Sequence, residues 1–211
     1  EIFDRLACAP PMMEKGVTWQ VGKVFFGSRL IYTFDLNPEG GHRFPAFINL
    51  QQYYLEKFLV DRAQGMEAID LRWKNRVVAV EPEADGARLT IETQDGPYKI
   101  DADWVIAADG ARSPVRRALG LDFRGRVFED HFLIADVKMK APPFLKNGQN
   151  ERWFWFAPPF HGGGSALLHR QADDVWRIDL QLGWAADPEA EKPPAVVIPR
   201  LAAMLGPATE F

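Results

Sequence analysis

Cysteine is almost absent from this chain of 211 residues, which contains Cys8 and no other. A single cysteine excludes a disulfide within the chain and favours a reducing, cytoplasmic setting. Long hydrophobic runs are absent too, since no stretch of eighteen apolar residues occurs. We therefore expect no segment that spans a membrane and no membrane partner.

An excess of positive charge is also missing, because 29 acidic residues outnumber 25 basic ones and the net charge is -4. This balance argues against a dedicated nucleic-acid binder. The four histidines lack the spacing of a metal site, so no metal is predicted. No Gly-x-Ser-x-Gly motif supports hydrolase chemistry. Aromatic residues make up 12% of the chain, a generous share that suits a protein with flat ligands.

Hydrophobic periodicity predicts a mixed α/β chain. Residues 1–48 contain β-rich stretches at Val17–Val21 and Val24–Phe34. The stretch INLQQYYLEKFLVDRA predicts a helix that Asn49 caps and Gly65 ends. A short strand is expected at Met66–Leu71.

A β meander is predicted over residues 76–107, with Asp-Gly turns at Asp85-Gly86 and Asp95-Gly96. It ends in Val105–Ala108, whose unbroken apolar character predicts a strand buried on both faces. Ser113 then caps a short helix that has Pro114 in its first turn.

Beyond Gly125 the pattern predicts a largely antiparallel sheet. Its segments are bounded by Pro142-Pro143, by Gly162-Gly163-Gly164 and by Ala172–Asp174. In VWRIDLQL, apolar and polar residues alternate with a period of two. A last helix is expected from Pro193-Pro194 through Met204.

The junction VIAADGARSPVRRALG combines features that suit a cofactor. Asp109 can accept hydrogen bonds from ligand hydroxyls, and Gly110 allows close backbone approach because it lacks Cβ. The N-terminus of the following helix, together with nearby arginines, favours anionic groups. The alternative is an ordinary strand–turn–helix junction in which the arginines face water.

The string D-G-x-x-S-x-x-R, formed by Asp109, Gly110, Ser113 and Arg116, resembles the second cofactor motif of the class A flavoprotein aromatic hydroxylases. These are FAD-dependent monooxygenases of the p-hydroxybenzoate hydroxylase superfamily. The resemblance implies that Asp109 contacts the FAD ribitol and that the other three residues belong to the cofactor site. It also implies NADH or NADPH as the reductant.

A second resemblance concerns the predicted helix. INLQQYYLEKFL is similar to the family helix whose Gln or Arg reaches the flavin nucleotide, with a Q-x-x-x-E spacing at Gln52 and Glu56. Gln52 is the predicted contact, because Gln51 points about 100° away around the helix. Exposure of Gln52 on a solvated helix face is the alternative.

FWFAPPFHGGGSALLHRQ and VWRIDLQLG resemble the substrate-domain sheet of 3-(3-hydroxyphenyl)propionate hydroxylase-like enzymes. The resemblance makes Arg177 a candidate for a substrate carboxylate, with a structural ion pair as the alternative. Trp155 and His169 are further candidates for the substrate pocket. Trp153–Pro158 also resembles the W-x-W-x-I-P motif of flavin-dependent halogenases, except at Ala157. Strand aromatics of this kind more often pack within a sheet.

Together these features predict part of a Rossmann-like FAD-binding domain plus a largely antiparallel substrate-domain sheet. We expect residues 1–48 to contribute to the substrate domain, 49–124 to the FAD-binding domain, and 125–211 to the substrate sheet and terminal helix. The expected activity is FAD- and NAD(P)H-dependent hydroxylation of a phenol-like substrate with O₂. Halogenation, another flavoprotein reaction on this scaffold and a non-catalytic binding domain are the alternatives. Catalytic residues are not assigned, and a homodimer is allowed.

Two family hallmarks are missing from the sequence: a strand followed by G-x-G-x-x-G, and the later Gly-Asp segment that closes over the pyrophosphate. We expect both to lie outside positions 1–211, which would make the chain the middle part of a longer hydroxylase. Without the phosphate-binding loop, the isolated segment should bind FAD poorly.

Overall fold

The computed structural model describes residues 1–126, 128, 130–140, 150–162, 164–206 and 209–211. Its contacts divide the chain into two units. The first combines Glu1–Gly65 with Phe128–Phe211, and the second is Met66–Val127. The segments predicted from the sequence were 1–48, 49–124 and 125–211. Their assignment to the FAD-binding domain and the substrate domain remains a prediction.

Six helices and eleven strands lie within the described part of the chain. The helices are α1 (Ile2–Arg5), α2 (Ala9–Lys15), α3 (Gln52–Gln64), α4 (Pro114–Ala118), α5 (Pro188–Glu191) and α6 (Pro194–Leu205). The strands are β1 (Val17–Trp19), β2 (Val21–Phe26), β3 (Arg29–Asp35), β4 (Phe47–Asn49), β5 (Arg76–Glu83), β6 (Gly86–Thr93), β7 (Gly96–Ala102), β8 (Phe132–Lys138), β9 (Glu151–Phe156), β10 (Ser165–Arg170) and β11 (Val175–Gln181). This composition confirms the predicted mixed α/β class. No described helix is long and apolar enough to cross a membrane.

The first unit is built on a six-stranded sheet in the order β3-β2-β9-β10-β11-β8. Only the pair β2–β9 is parallel, and the other four pairs are antiparallel. Strands β1 and β4 form a separate antiparallel pair. The predicted antiparallel sheet is thus present, and it also recruits two strands from the beginning of the chain.

Alternation along β11 decides which face of the sheet holds the core. Trp176, Ile178 and Leu180 are almost completely buried. They share one core cluster with Leu201 and Leu205 of α6. Since successive strand residues point to opposite faces, the residues between them line the other face. We call this the second face; it carries Arg177, Asp179 and their cross-strand neighbours.

The second unit contains the predicted meander, with sheet order β5-β6-β7. Both Asp-Gly turns occur where the sequence predicts them. At the first turn, a Cβ on Gly86 would lie 2.4 Å from the Ala102 carbonyl oxygen, so the backbone approach admits only glycine. Helix α4 begins at Pro114 with Ser113 as its N-cap, as predicted.

Three local predictions are wrong. Residues Val105–Ala108 form no strand, and Ile106 is 91% exposed, because no described strand pairs with them beyond the end of β7. Met66–Leu71 forms no strand for the same reason. Asn49 does not cap α3: its side-chain amide donates to the Arg170 carbonyl at 2.8 Å, and Gln51 is the N-cap residue instead.

Beyond residue 125, helix α6 begins and ends within a residue of its prediction, and β8, β9, β10 and β11 lie between the predicted boundaries. The short helix α5, in the charged segment before α6, was not predicted. The predicted boundaries Pro142-Pro143 and Gly163 lie outside the described residues.

Candidate functional sites

Asp109 lies in an exposed turn directly before α4. Its Oδ2 accepts a hydrogen bond from the Val115 amide at 3.0 Å. The Ser113 hydroxyl, followed by this amide, holds the pKa of the Asp109 carboxyl below its usual range. The side chain is therefore a fixed, ionised acceptor that faces solvent.

Gly110 has a φ of +79°, a conformation that favours glycine. Apart from its two chain neighbours, no described residue has an atom within 4 Å of the place where its Cβ would be. The space beside this backbone is thus open, as close approach of a ligand requires. Both predicted features of the Asp-Gly motif, an available carboxylate and bare backbone, are present side by side.

The predicted anion site at the start of α4 is not supported by the geometry. Pro114 has no N–H, the Val115 amide donates to Asp109, and the Arg116 amide donates to Ser113 Oγ at 2.9 Å. The Arg116 guanidinium turns back to the Ala111 carbonyl at 2.8 Å and lies over the ring of Phe123. The amides of the first turn therefore bond to side chains of the same turn, and the Arg116 guanidinium bonds to a neighbouring carbonyl. Neither of these amides is left for an anion.

Gln52 lies at the exposed start of α3, where its side-chain amide donates to Glu56 at 2.7 Å. The two residues of the Q-x-x-x-E spacing thus contact each other on a solvated helix face. This is the arrangement that the sequence analysis gave as the alternative to a flavin contact. Gln51 is buried, and its amide donates to the Ala172 carbonyl at 2.8 Å. Its Oε1 has no partner in the described part of the chain.

Arg177 lies on the second face and is already paired. Its Nε and Nη2 donate to the two carboxylate oxygens of Asp136 on β8, each at 2.9 Å. The guanidinium holds the pKa of the Asp136 carboxyl below its usual range. The structural ion pair that the sequence left open is the arrangement present here, and a substrate role for Arg177 remains a prediction.

His169 faces Arg177 across the strand pair β10–β11 and is 5% exposed. Burial, reinforced by the charges of Arg152 and Arg177, lowers its pKa to about 4. The ring is therefore neutral at physiological pH. One ring nitrogen, Nε2, meets the Gln171 side-chain amide at 3.0 Å, while Nδ1 has no partner within the described residues.

Trp155 belongs mainly to the core. It is 7% exposed, stacks on Phe25 with ring centroids 5.2 Å apart, and meets the edge of Phe160. Ala157, where the halogenase-like motif breaks, has a φ of +47°. An isoleucine, which the motif has there, would be strained in that conformation. Trp155 thus packs in the core and also borders a concavity of the sheet, so its role in the substrate pocket remains a prediction.

Two charged residues of the second face were missed by the sequence reasoning. Asp179 borders a concavity of about 380 Å³ whose other lining residues are mostly apolar. Arg152 makes no ion pair in the described part of the chain, and its guanidinium lies over the rings of Trp19 and Phe154. The signal for Asp179 was available, because the alternation in RID puts it on the same face as Arg177.

A family model for the FAD binding domain matches residues 1–208. Among curated proteins, a flavin-dependent monooxygenase of Mycobacteroides abscessus is 28% identical over 147 residues, which cover 65% of this chain and 31% of that protein. A 3-(3-hydroxy-phenyl)propionate/3-hydroxycinnamic acid hydroxylase of Burkholderia cenocepacia is 36% identical over 88 residues, or 41% of this chain and 16% of that protein. The matched regions thus span at most about a third of these two relatives.

A solved structure, p-nitrophenol 4-monooxygenase from Pseudomonas putida, superposes with a TM-score of 0.79 at 18% identity. The superposition covers 99% of this chain and 53% of that structure, so the fold is shared. These relatives are monooxygenases, and the halogenase alternative is not favoured. Since the family model covers nearly all of its residues, the chain belongs to the FAD-binding domain family, in which the proteins it resembles are flavin-dependent aromatic monooxygenases.

Proposed function

We propose that the protein is an FAD- and NAD(P)H-dependent monooxygenase that inserts one oxygen atom of O₂ into a phenol-like ring. The observation that carries the proposal is the exposed, ionised Asp109 beside the open backbone of Gly110, within a chain that the FAD-binding family model matches almost end to end. The whole protein's substrate, reductant and partners are part of this proposal.

The residues of the turn fit a flavin nucleotide. Asp109 would accept hydrogen bonds from the ribitol hydroxyls, because its carboxylate is held by Val115 at one oxygen and still faces solvent. Gly110 would admit the cofactor close to the backbone. When bound, FAD would supply the electron transfer and oxygen activation that no side chain provides.

The first unit would provide the substrate's surroundings. Its second face offers the flat rings of Phe154 and Phe156 and the aliphatic side chain of Ile134 around the concavity. An aromatic ring packs well against such a wall, and a dry wall limits wasteful loss of reactive oxygen as peroxide. Binding and exclusion of water are thus the roles that we assign to this sheet.

The finer parts of the proposal concern the reductant, the oxidant, the setting, the oligomeric state and three cofactor residues. The reductant is NADH or NADPH, the oxidant is O₂, and the setting is cytoplasmic. A homodimer is allowed alongside a monomer. Gln52, Ser113 and Arg116 remain proposed cofactor residues, although each has a local partner in this structure.

The cofactor role is tested with Asp109→Ala in the full-length gene product. Loss of the acceptor should raise the FAD dissociation constant about tenfold or more, because hydrogen bonds to a charged group are strong. Flavin content after dialysis and a fluorescence titration with FAD measure the change. Asp85→Ala is the matched control, since Asp85 is also exposed and also begins an Asp-Gly turn. Equal flavin retention in both variants would contradict the role of Asp109.

The reaction is tested by an oxygen-uptake screen over phenols and phenolic acids with the FAD-loaded enzyme. Hydroxylated product must be separated from hydrogen peroxide, because uncoupled oxidation of NAD(P)H also consumes O₂. Hydroxylated product from at least one phenol supports the proposal. A protein that stays colourless would favour a non-catalytic binding domain. A flavoprotein that only makes peroxide with every compound would contradict hydroxylation of phenols.

A further inference from the structure

Resting on the proposed function, we infer that Asp179 is the specificity-determining residue that accepts the hydrogen bond of the substrate's ring hydroxyl. The aromatic ring would lie in the concavity beside it on the second face. The ligand class is a neutral hydroxyarene, bound by its apolar ring and by one O–H donor.

The concavity has the size and lining of a site for a small ring. Its volume of about 380 Å³ lies in the lower part of the range of small-molecule pockets. Its apolar walls include Phe132, Ile134, Phe154, Phe156 and Leu167. Phe132, Ile134 and Phe156 are each more than half exposed in this structure, so their apolar surface is available to a ligand.

Asp179 is placed in an apolar row of this sheet. Across the strands it faces Leu167 on β10 and Ile134 on β8, and Leu167 in turn faces Phe154 on β9. Its neighbours in register therefore offer no hydrogen-bond donor. Oδ1 is buried without a partner, and within the described chain no hydrogen bond or ion pair involves this side chain.

An unpartnered carboxylate in such a place is costly, because buried polar groups are normally hydrogen-bonded. Burial raises the pKa of the Asp179 carboxyl despite the opposing charges of Arg177 and Arg152. A ligand hydroxyl in the concavity would donate to the other oxygen of this carboxylate, because Oδ1 is itself buried, and would offset part of the cost. The site is thus incomplete in the protein alone and is completed by a donor.

The charges around Asp179 select a neutral donor over an ion. Arg177 on β11 and Arg152 on β9 are the cations that act on its carboxyl, Asp136 on β8 is a further anion, and His169 on β10 is neutral. A cationic amine would meet the two guanidinium groups. An aryl carboxylate would meet Asp179, and Arg177 is already paired with Asp136. A neutral phenol hydroxyl is repelled neither by the guanidinium groups nor by the carboxylate of Asp179.

The test compares phenol, anisole and benzoate as probes, with binding to the oxidised, FAD-loaded enzyme measured by calorimetry. The wild type should bind phenol about tenfold more tightly than anisole, which has the same ring without the donor, and more tightly than benzoate. In Asp179→Asn the preference for phenol should shrink to about twofold, whereas anisole should bind as before. Asp187→Asn, a substitution of an aspartate that caps α5, should leave the preference unchanged.

Equal wild-type affinity for phenol and anisole would overturn the inference, as would a full phenol preference in Asp179→Asn. The wild-type comparison decides even when the variant does not fold. If phenols are hydroxylated but the donor preference is absent, only the role of Asp179 fails. If the preference is present but no aromatic compound is hydroxylated, the proposed reaction fails while the binding site stands.

Discussion

His169 illustrates how burial sets the charge of a single side chain on the second face. In the folded protein its pKa is lowered to about 4 from an ordinary value of 6.5. Between these two pH values the unfolded chain binds a proton that the folded chain does not. The titration of this group therefore leaves the free energy of unfolding unaffected above about pH 6.5, and the free energy of unfolding falls as the pH drops towards 4.

We predict that the free energy of unfolding falls by about 3 kcal/mol across this pH window because of His169. In His169→Asn the fall between pH 6.5 and 4 should be much shallower, because the titrating group is gone. Urea denaturation at a series of pH values measures both slopes. His42→Asn is the control for the loss of an exposed imidazole. Identical slopes in all three proteins would rule out this role of His169.

At the scale of strands and helices, the pair Arg177–Asp136 joins β11 to β8. Both side chains are partly exposed, at 31% and 44%, so the pair contributes modestly despite its bidentate geometry. Because Arg177 lowers the pKa of Asp136, this contribution is present above the ordinary aspartate pKa and is lost as the pH falls through the lowered value.

We predict that Arg177→Gln lowers the free energy of unfolding by about 0.5–1 kcal/mol at pH 7, and that this loss shrinks at acidic pH as Asp136 becomes protonated. Asp136→Asn should cost a similar amount, and the double variant should cost less than the sum of the two. Chemical denaturation of the wild type, the two single variants and the double variant measures the interaction energy of the pair. Strict additivity, together with weaker binding of aryl acids by Arg177→Gln, would instead support the predicted substrate role.

Local signals explain which elements could be predicted from the sequence. The alternation in β11, the Asp-Gly turns and the Ser113 cap each depend on residues close together in the chain, and all three are present. The Asp109–Gly110 motif was found for the same reason, because its turn chemistry is local.

Predictions that depended on distant partners were less successful. Val105–Ala108 is apolar enough for a buried strand, but burial requires neighbouring strands that the described residues do not provide. The burial of Gln51 depends on a carbonyl 121 residues away, at Ala172. The alternation in β11 is enough to place Asp179 on the same face as Arg177, but no sequence pattern records that its Oδ1 is buried without a partner.

At the scale of the whole molecule, the six-stranded sheet joins two distant parts of the chain. Strands β2 and β3 end by Asp35, whereas β8–β11 begin at Phe132. The parallel pair β2–β9 holds these parts together, and Phe25 of β2 packs against the core cluster that contains Ile178 of β11. We therefore expect the sheet to unfold as one cooperative unit, since its strands share one core.

Ile178→Ala tests this cooperativity, because Ile178 is completely buried. The cavity should cost about 2–4 kcal/mol of unfolding free energy, and Ile198→Ala, at a position that is 53% exposed, should change it by about 0.5 kcal/mol or less. Hydrogen exchange should quicken in β2 as well as in β11, although the two strands are separated by β9 and β10. Faster exchange confined to β11 and its immediate neighbours would mean that the two parts of the chain open independently. In that case the second face, which both parts build, could change shape without unfolding of the core.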